Sequence, residues 1–583
     1  MLHSVPHSGA RVRVAQFIGA TVLSMACVSS QPGRTTAIPS DTPASRFAIA
    51  PHGMVVSASG IASQVGRDVL AAGGNAVDAA IATGFALAVT YPVAGNIGGG
   101  GFMVIRFPDG RATTIDFREI APRAATPDMF TDSAGKYSEL THHMSYKSVG
   151  VPGTVAGFAL AHQKYGKTRW TRLVDPAVRL AGEGFIVPPG LAQSLRSALQ
   201  FPQIPPASVA AYSNGGKPYA VGERIRQPDL AGTLTRIRDR GRDGFYRGET
   251  ARLFAAEMRR GGGLITEEDL ALYEAKERAP VRGSYRGYEI ISMPPPSSGG
   301  VVLVEMLNIL EGYDLAAAGH NSSRSVHLVA EAMRRAFLDR ARYLGDPDFV
   351  QAPIDRLTSK SYAAGLRRTI QPDRATVSTP AQVAEGFESS ETTHYSVVDA
   401  SGMAVSVTYT LEFGYGLGAV VTGAGFLLNN EMGDFNAMPG VTDTTGLVGT
   451  PANLARPGKR MLSSMTPTII AKDGRLVAVV GSPGGRTIIN TVLQVILNQL
   501  DFNMGIEEAV NAPRFHHQWL PDVLSVEQSG LPPTTVSELE TMGYHVSLRG
   551  GQGIAHSIRI DPGTGTRQGA ADPRDPDAGA AGH

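Results

Sequence analysis

The first two-thirds of the chain carries apolar residues mainly at helical spacing. Small and apolar side chains recur with a helical period over residues 60–88, where the group that begins at Asn75 is typical of a buried helix start. Two further apolar stripes, over residues 302–315 and 325–343, predict two more helices. Residues 155–275 alternate helix-like stretches with proline and glycine. This part of the chain is therefore predicted to be mainly helical.

After residue 392 the pattern changes to short runs rich in β-branched and aromatic residues, which are typical of strands. The predicted strands span residues 395–398, 403–410, 419–422, 426–429, 467–471 and 476–481. A helical period returns over residues 487–500. A strand-rich half packed against helices indicates a layered α/β (α+β) architecture.

The first two of these strands are predicted to form a hairpin, because the letters DASG between them are typical of a turn. If Val398 pairs with Met403, Thr392 lies opposite Tyr409. A shift of one residue places Thr392 opposite Thr410 instead. Because such a shift also exchanges the two faces of the strand, the sequence alone leaves both registers open.

The threonine at the start of this hairpin has a simple structural interpretation, because threonines are common at strand ends. Its hydroxyl becomes a nucleophile only if a base takes the proton, and a terminal α-amine with a pKa of about 7.7–8.0 can be that base. Inside an uncut chain Thr392 has only an amide nitrogen, so activity requires scission of the Glu391–Thr392 bond. The polar residues 371–391, with their prolines and glycine, predict a loop that could accommodate such a cut.

Length and charge narrow the class of protein. The chain has 583 residues, enough for a large buried core, and its 53 basic and 52 acidic residues give a net charge of +1. This balance provides no field that would attract nucleic acid or an anionic membrane, so small molecules or proteins are the expected partners. The 68 glycines and 38 prolines are distributed among apolar segments, which indicates a loop-rich globular enzyme.

The N-terminus has the features of an export signal. Arg11 and Arg13 precede an apolar stretch, residues 14–28, that is too short to span a bilayer comfortably. We therefore expect residues 1–28 to be a signal peptide and the mature protein to be periplasmic or secreted. The single cysteine, Cys27, excludes an intrachain disulfide. It resembles the lipidated residue of bacterial lipoproteins, and either it anchors the protein to a membrane or it is removed with the signal.

Many longer motifs occur in one order along the chain. The C-terminal part contains TTHYSVVD, AVSVTYT, LLNNEMGDFN, LSSMTPT, GSPGG and NAPRFHHQWLPD. The N-terminal part contains GNIGGGGF, DFREIAP, GVPGTVAGF, GGLITEEDL and YRGYEIISMPPPSSGG. Together these motifs closely resemble the bacterial γ-glutamyltransferases (γ-glutamyltranspeptidases), from about residue 48 to about residue 575. Any one glycine-rich motif is weak evidence, whereas so many in one order are highly specific.

The resemblance implies a four-layer αββα sandwich of the N-terminal-nucleophile hydrolase type. It also implies an autocatalytically cleaved precursor, in which a large subunit (residues 29–391) and a small subunit (residues 392–583) form a heterodimer with one shared fold. No cofactor and no metal are implied. From composition, the leader before about residue 48 and the tail after residue 575 are expected to be disordered at their extremes.

The resemblance assigns the catalytic roles as well. Thr392 is implied to be the nucleophile, and Thr410 the threonine that hydrogen-bonds it and helps in maturation. Gly484 and Gly485 match the pair whose backbone N–H groups form the oxyanion hole. Glycine suits this role because it permits close approach and unusual dihedral angles, although a Gly-Gly pair by itself is usually only a turn.

A γ-glutamyl donor presents an α-carboxylate and an α-ammonium, so its site must supply cationic or neutral donors and anionic acceptors. Arg118 matches the family's carboxylate-binding arginine, a role that its planar guanidinium suits. On composition alone, Arg118 would simply pair with Asp116 or Glu119. The remaining matches are Ser463 and Ser464 for the carboxylate, and Glu431 and Asp434 for the ammonium. Glu412 departs from the family, because many relatives carry asparagine there; its carboxylate could still bind the ammonium but alters the local charge.

Other conspicuous residues have simpler interpretations. The run Gly98–Gly101 lacks the lysine and the spacing of a nucleotide-binding loop, so no nucleotide is expected. Thr393 and His394 are interpreted as strand residues. The adjacent His516 and His517 would point to opposite faces of a strand, so joint ligation of one metal is not expected.

The resemblance implies transfer of a γ-glutamyl group from glutathione or other γ-glutamyl compounds to water, or to amino acid and dipeptide acceptors. Two alternatives stay open at this point: an acylase for glutaryl amides, of the cephalosporin acylase type, and a non-catalytic exported binding protein. Several bacterial relatives carry an aromatic lid residue where this chain has Thr445, which predicts a larger share of hydrolysis here.

Overall fold

The computed structural model describes residues 45–200, 204–380, 391–440, 443–444, 449–528 and 530–583. The predicted signal peptide, Cys27 and Thr445 lie outside these ranges. Residues 371–380, the first part of the predicted loop, form no strand and no α-helix. None of the helices in the described ranges is both long and apolar enough to span a bilayer.

Nineteen strands are present in the described residues. In chain order they are β1 (Phe47–Ala50), β2 (Met54–Ser57), β3 (Gly100–Arg106), β4 (Ala112–Phe117), β5 (Phe185–Ile186), β6 (Arg224–Ile225), β7 (Lys276–Arg278), β8 (Val281–Tyr285), β9 (Tyr288–Ser292), β10 (Glu391–Val398), β11 (Ala404–Glu412), β12 (Thr468–Lys472), β13 (Arg475–Val480), β14 (Phe515–His516), β15 (Leu524–Glu527), β16 (Val546–Arg549), β17 (His556–Ile560), β18 (Arg567–Ala571) and β19 (Gly579–Gly582).

Most of these strands belong to two large antiparallel sheets of seven strands each. Sheet A has the order β19-β2-β10-β11-β3-β4-β7, and sheet B has the order β1-β18-β17-β13-β12-β9-β8. Two small sheets, β14-β15-β16 and β5-β6, lie outside this pair.

The helices supply the outer layers. In chain order they are α1 (Gly60–Ala71), α2 (Ala76–Thr90), α3 (Glu139–His143), α4 (Thr154–Tyr165), α5 (Trp170–Glu183), α6 (Pro189–Ala198), α7 (Pro206–Tyr212), α8 (Pro228–Arg240), α9 (Asp243–Tyr246), α10 (Gly248–Gly261), α11 (Glu267–Leu272), α12 (Gly299–Leu310), α13 (Leu315–Ala318), α14 (Ser323–Tyr343), α15 (Ile354–Leu357), α16 (Lys360–Arg367), α17 (Thr487–Leu500), α18 (Ile506–Asn511) and α19 (Pro533–Thr541).

The alternation of side chains along each strand separates three apolar layers. On β3, Met103 and Ile105 pack with α2 and its neighbouring helices, while Phe102 and Val104 pack between the two sheets. The other face of sheet B packs against α12, α14 and α17. Helix, sheet, sheet and helix therefore follow one another, and the predicted αββα sandwich is confirmed.

Strands from the two sides of residue 391 are interleaved in both sheets. In sheet A, β10 pairs with β2 and with β11, and β11 pairs with β3. In sheet B, β12 pairs with β9 and with β13. A chain cut before Thr392 would thus remain one folded body, because each part supplies neighbours to the other in the hydrogen-bonded ladders.

Most predicted helices are present with adjusted ends. The stretch 60–88 forms two helices, because residues 72–75 interrupt it and Asn75 caps α2 in a reciprocal capping box with Asp78. The prediction over 302–315 was correct for α12, although that helix ends at Leu310. The α14 and α17 helices lie where the spacing predicted them, with α17 over the same residues.

The predicted strands 419–422 and 426–429 were wrong. They meet in a single bridge between Val420 and Leu427, and the turn between them contains Gly423 and Gly425 at positive φ. Their apolar side chains are buried against the helical layer next to sheet A. Burial in a loop, not strand pairing, therefore explains this apolar pattern.

The tail was also misjudged as disordered. Residues after 575 include β19, which pairs along β2 at the edge of sheet A. Ala578 and Ala580 are buried there, and the carbonyl of His583 accepts a hydrogen bond from His52 N at 3.0 Å. Small residues suit an edge strand against a sandwich, so the Gly/Ala composition indicates close packing here.

The hairpin adopts the second of the two registers. Val398 lies opposite Ala404 and Thr393 opposite Tyr409, which excludes the register that pairs Val398 with Met403. Met403 belongs to the turn instead, because its N–H donates to the Asp399 carboxylate at 3.1 Å. The ladder then shifts between Glu391 and Thr393, where Glu391 pairs with Glu412. Thr392 therefore lies in an irregularity of β10, the kind of feature that redirects side chains beside active sites.

Candidate active site

Strand ends of both sheets converge on one pocket of about 260 Å³. Nine of the ten residues that the sequence assigned to the site line this pocket, and the tenth, Gly484, is adjacent to one of them. Met465 and Ile488 add an apolar part to the lining. The nine are Arg118, Thr392, Thr410, Glu412, Glu431, Asp434, Ser463, Ser464 and Gly485.

The two threonines face the pocket from neighbouring strands. Thr392 is 6% exposed and Thr410 is 2% exposed, and both line the same cavity. The hydroxyl of Thr410 accepts a hydrogen bond from the backbone N–H of Glu412 at 2.9 Å. This bond fixes the orientation of the Thr410 side chain at the end of β11, beside the proposed nucleophile.

Arg118 follows β4 and is completely buried. Its Nη1 is paired with Glu431 and its Nη2 with Asp434, while Glu119 lies farther away at 3.6 Å. Its Nε and Nη2 also donate to the carbonyls of Met461 and Leu462, at 3.3 and 3.2 Å. The guanidinium is therefore held rigidly between the two acids of the turn Glu431–Asp434.

The simple alternative, that Arg118 pairs mainly with its sequence neighbours, does not match the geometry. Asp116 is occupied by two other arginines, with Arg278 Nε at 2.8 Å and Arg460 Nε at 3.2 Å. It also accepts the N–H of Arg118, and the Tyr273 hydroxyl donates to the Arg118 carbonyl. The neighbours thus position the arginine backbone and leave its side chain to the pocket.

The acids around Arg118 outnumber it. Burial lowers the pKa of Arg118, but the nearby carboxylates of Glu431, Asp434 and Glu119 raise it by more, so the arginine stays charged. Burial also raises the pKa of Glu431 well above its usual value. The pKa of Glu119 is raised to about 8, again by burial and against the opposing effect of Arg118. Glu119 therefore keeps its proton near neutral pH.

This gives a pH-dependent stability with a definite sign. An unfolded glutamate ionises near pH 4.5, whereas folded Glu119 keeps its proton up to about pH 8, so folding takes up protons between these values. Stability should therefore fall as pH rises from about 5 to about 8. Glu119→Gln should flatten this decline in thermal unfolding midpoints. Glu538→Gln, at an exposed position of α19, is the control. An unchanged slope in the Glu119→Gln variant would contradict the assignment.

Ser463 and Ser464 lie in the loop before β12, where side chains of the α12 and α14 segments hold them. The Ser298 hydroxyl donates to the Ser463 carbonyl at 2.7 Å, and Arg340 Nη2 donates to the Ser464 hydroxyl at 3.1 Å. Arg340 Nε also donates to the Ser298 hydroxyl at 2.8 Å. The sequence did not single out Arg340, and its only signal was a basic residue on the apolar face of a predicted helix.

Gly484 and Gly485 connect β13 to α17, with φ values of 126° and 55°. A Cβ on Gly484 would lie 2.5 Å from the Thr487 hydroxyl, which donates to the Gly484 carbonyl. Both the dihedral angle and the close approach require glycine. The turn places Gly485 in the pocket lining and Gly484 next to it, just before the start of α17, where the positive end of the helix dipole favours an anion.

Gly484→Ala is expected to lower kcat of the acyl transfer that the resemblance implies by about 10²-fold, because the backbone must rotate and move its N–H groups. Gly474→Ala is the matched control. It also replaces a positive-φ glycine, at 74°, but its added Cβ would meet nothing within 4 Å. Equal activity loss in the two variants would show that general backbone strain, not donor geometry, causes the effect.

The run Gly98–Gly101 has a packing role. A Cβ on Gly99 would overlap the Thr410 carbonyl, and one on Gly101 would overlap the Thr408 carbonyl. Glycine here lets β3 lie close to β11, which carries part of the pocket. The run thus supports the site through close packing of the backbone.

The histidines near the motifs are engaged in structural hydrogen bonds. His394 Nδ1 bonds the Thr408 hydroxyl at 2.9 Å, and His394 Nε2 bonds the Ser396 hydroxyl at 3.0 Å. His516 bonds Asn490 and Gln518, and His517 bonds Asp522. In the described part of the chain, no group of three or more His, Cys, Asp or Glu residues could hold a metal ion.

Glu412 ends β11 and has a partner outside the recognised motifs. Its Oε1 lies 2.9 Å from Nδ1 of His143, at the end of α3. Sequence analysis missed His143, since nothing distinguishes one histidine of a His-His pair in a polar segment. Only the fold brings α3 to the pocket.

The chain is similar to known proteins in sequence and in fold. The family model described as Gamma-glutamyltranspeptidase matches residues 62–582. The glutathione hydrolase proenzyme of Escherichia coli (strain K12) is 49% identical over 540 residues, which are 92% of each chain.

Two solved structures are similar to this fold. The crystal structure of Helicobacter pylori gamma-glutamyltranspeptidase is 44% identical, with a TM-score of 0.53, and covers 59% of this chain and 95% of that one. The cephalosporin acylase from Bacillus halodurans is 28% identical, with a TM-score of 0.82, and covers 94% of this chain and 99% of that one.

Proposed function

This chain belongs to the gamma-glutamyltranspeptidase family, and we propose that its reaction runs through Thr392 in the pocket beside Arg118. The protein is an enzyme, a glutathione hydrolase and γ-glutamyltransferase made as a proenzyme. Its substrates are glutathione and other γ-glutamyl compounds. The roles of the individual residues are inferred from their positions.

One observation carries this inference. Arg118 and the two carboxylates of Glu431 and Asp434 lie side by side in the wall of the same pocket that contains Thr392. The α-carboxylate and α-ammonium of a γ-glutamyl group are separated by a single carbon, so their receptor needs adjacent charges of both signs. Ser463 and Ser464 supply further donors for the carboxylate.

The proposed chemistry has two steps. Thr392 Oγ attacks the γ-carbonyl carbon, its proton passes to the α-amine of Thr392, and Gly484 and Gly485 N–H groups stabilise the oxyanion. The C–N bond breaks as the leaving amine takes that proton, which leaves a γ-glutamyl ester. Water or an amino acid or dipeptide amine then attacks the ester and restores the Thr392 hydroxyl.

The precursor is processed into two chains, and we place the cut between Glu391 and Thr392. In β10 the peptide nitrogen of Thr392 is an amide and cannot act as a base. Scission supplies the α-amine, whose ordinary pKa of about 7.7–8.0 suits proton transfer near neutral pH. Thr410 lines the same pocket as Thr392 and is assigned to the maturation step.

The glutaryl acylase alternative is less favoured by the site. A glutaryl group has a carboxylate but no ammonium, so it would leave the acids of Glu431 and Asp434 without a cationic partner from the substrate. The similarity to a cephalosporin acylase reflects the shared fold at lower identity. The non-catalytic binding protein is set aside, because the chain is an enzyme.

The test combines maturation with chemistry. Intact mass of the purified protein should show two chains separated before Thr392. The processed protein should hydrolyse γ-glutamyl-p-nitroanilide and should do so far faster than glutaryl-p-nitroanilide. Glycylglycine should accelerate the release of nitroaniline if it accepts the acyl group. The ratio of the rates with and without glycylglycine then measures the predicted excess of hydrolysis over transfer. An uncut, inactive chain would contradict the proposal.

We also propose that the enzyme is exported and acts in the periplasm or outside the cell. The basic residues Arg11 and Arg13 before the apolar stretch 14–28 support this. The same intact mass gives the mature N-terminus of the large chain. An added diacylglycerol mass at Cys27 would establish lipid anchoring, while a chain that still begins at Met1 would contradict export.

A further inference from the structure

His143 is buried beside the pocket, although it lies outside every recognised motif. Its side chain is 4% exposed, and its Nδ1 is 2.9 Å from Oε1 of Glu412. Glu412 itself lines the pocket together with Thr392 and Arg118. The imidazole is therefore in direct contact with a residue of the substrate cavity.

The ring of His143 is held in one orientation. It stacks on Phe413 at an angle of 9°, with ring centroids 5.4 Å apart. The His143 carbonyl accepts from Asn430 Nδ2 at 3.1 Å, and Asn430 Oδ1 accepts from the Phe413 N–H at 3.1 Å. The histidine and the residue after Glu412 are thus tied to the same asparagine, next to the acidic turn Glu431–Asp434.

Glu412 is placed with equal precision. Its backbone has a φ of 79°, uncommon for a residue with a side chain, and its N–H donates to the Thr410 hydroxyl. A Cβ on Gly433 would overlap both the Glu412 carboxylate and His143 Nδ1. The pair therefore packs directly on the turn that carries Glu431 and Asp434, and it extends that acidic wall of the pocket.

The charge of the pair follows from its surroundings. Burial lowers the pKa of His143, while Asp434 and Glu139 oppose this, and the ring of His142 lies 4.3 Å away. The imidazole is thus neutral at pH 7. A carboxylate that binds an ammonium is ionised and can only accept a hydrogen bond, so in the donor complex the bond to Glu412 requires the imidazole proton on Nδ1.

We propose that His143 is a positioning residue that holds the Glu412 carboxylate against the α-ammonium of the donor, and so selects γ-glutamyl over glutaryl compounds. This inference rests on the proposed function, because it assigns the ammonium to the wall formed by Glu431 and Asp434. A neutral donor suits this role. It orients the carboxylate by a hydrogen bond without adding a positive charge that would repel the ammonium.

The test compares three substitutions of His143. His143→Leu removes the donor, His143→Asn places an amide N–H near the Nδ1 position, and His143→Gln places it near Nε2. The Leu and Gln variants should raise KM for γ-glutamyl-p-nitroanilide about 10-fold, the loss of one hydrogen bond to a charged group, with kcat within about twofold. The Asn variant should recover most of the wild-type KM.

Two ligands without a scissile bond isolate the contribution of the α-ammonium to binding. L-glutamate and glutarate are tested as competitive inhibitors. The Leu and Gln variants should raise the inhibition constant of glutamate about 10-fold, with little change in that of glutarate. In a Glu412→Gln background the effect of His143→Leu should disappear. Equal weakening of both inhibitors, or an undiminished effect in that background, would overturn the proposal.

The outcomes separate this inference from the proposed function. If the wild-type protein neither matures nor turns over the γ-glutamyl anilide, the proposed function fails whatever the variants do. If the wild type is active and the glutamate-to-glutarate ratio is unchanged in all three variants, only the role of His143 fails. Should His143→Leu fail to fold, the contrast between the Asn and Gln variants decides the question.

Discussion

Replacement of Thr392 by alanine should leave the purified protein as a single uncut chain without measurable turnover of γ-glutamyl-p-nitroanilide. The substitution removes the hydroxyl that both the cleavage of the Glu391–Thr392 bond and the acyl transfer require. Loss of a nucleophile from an acyl-transfer site lowers kcat by roughly 10⁴–10⁶-fold. Intact mass and a denaturing gel measure the first effect, and release of nitroaniline measures the second.

The adjacent threonine provides a matched control. Thr393 is fully buried, and its hydroxyl makes no hydrogen bond to the described residues, so Thr393→Val should fold, mature and retain activity. Thr392→Ser keeps a hydroxyl and should still be cut and active, at a reduced rate. If Thr392→Ala were processed and active, or if Thr393→Val lost as much activity, Thr392 would not be the nucleophile.

Replacement of the Arg118 guanidinium by an uncharged side chain should reduce activity more than any other change in the substrate subsite. Arg118→Met leaves Glu431 and Asp434 without their cationic partner, and breaking a buried ion pair in this way costs about 3–5 kcal/mol. The donor also loses the group that binds its α-carboxylate, so kcat/KM should fall by at least about 10³-fold. Thermal unfolding and donor kinetics measure the two effects separately.

The two contributions can be separated by further variants. Arg118→Met combined with Glu431→Gln and Asp434→Asn removes the uncompensated charges, and it should recover stability while activity stays lost. Arg278→Met breaks the ion pairs with Asp116 and Asp348 outside the pocket lining, so it should destabilise without a comparable loss of kcat/KM. If the triple variant regained donor turnover, Arg118 would be a purely structural residue.

Periodicity predicted the elements whose apolar faces decide their position. The α14 and α17 helices have long stripes at helical spacing, and β10, β11, β12 and β13 are short runs of β-branched residues. The segment 419–429 has similar residues but forms a buried loop with a single bridge, and its glycines at positive φ lie in the turn between the two runs. The local pattern of apolar residues predicts burial reliably, but it predicts the hydrogen-bonded pairing of strands only indirectly.

The residues of the candidate site likewise divide into those that the sequence predicted and those that it did not. Thr392, Arg118, Glu431 and the Gly-Gly pair lie in motifs whose order resembles a known family, and this order placed them together before any coordinates. His143 and Arg340 touch the pocket residues from α3 and α14, at sequence distances that no motif spans. Such contacts depend on how helices pack onto the ends of strands.

The sequence by itself determined the layered architecture, and its motifs singled out Thr392 as the proposed nucleophile together with the charged residues that line the pocket. It could not choose the register of the hairpin, because β10 and β11 are buried on both faces, so a shift that exchanges the faces still buries the same side chains. Only the tertiary structure decided it, through the Asp399 turn and the shift before Thr393 that leaves Thr392 in an irregularity of β10. It also decided that Arg118 pairs with Glu431 and Asp434, since long-range packing sets which buried charges meet.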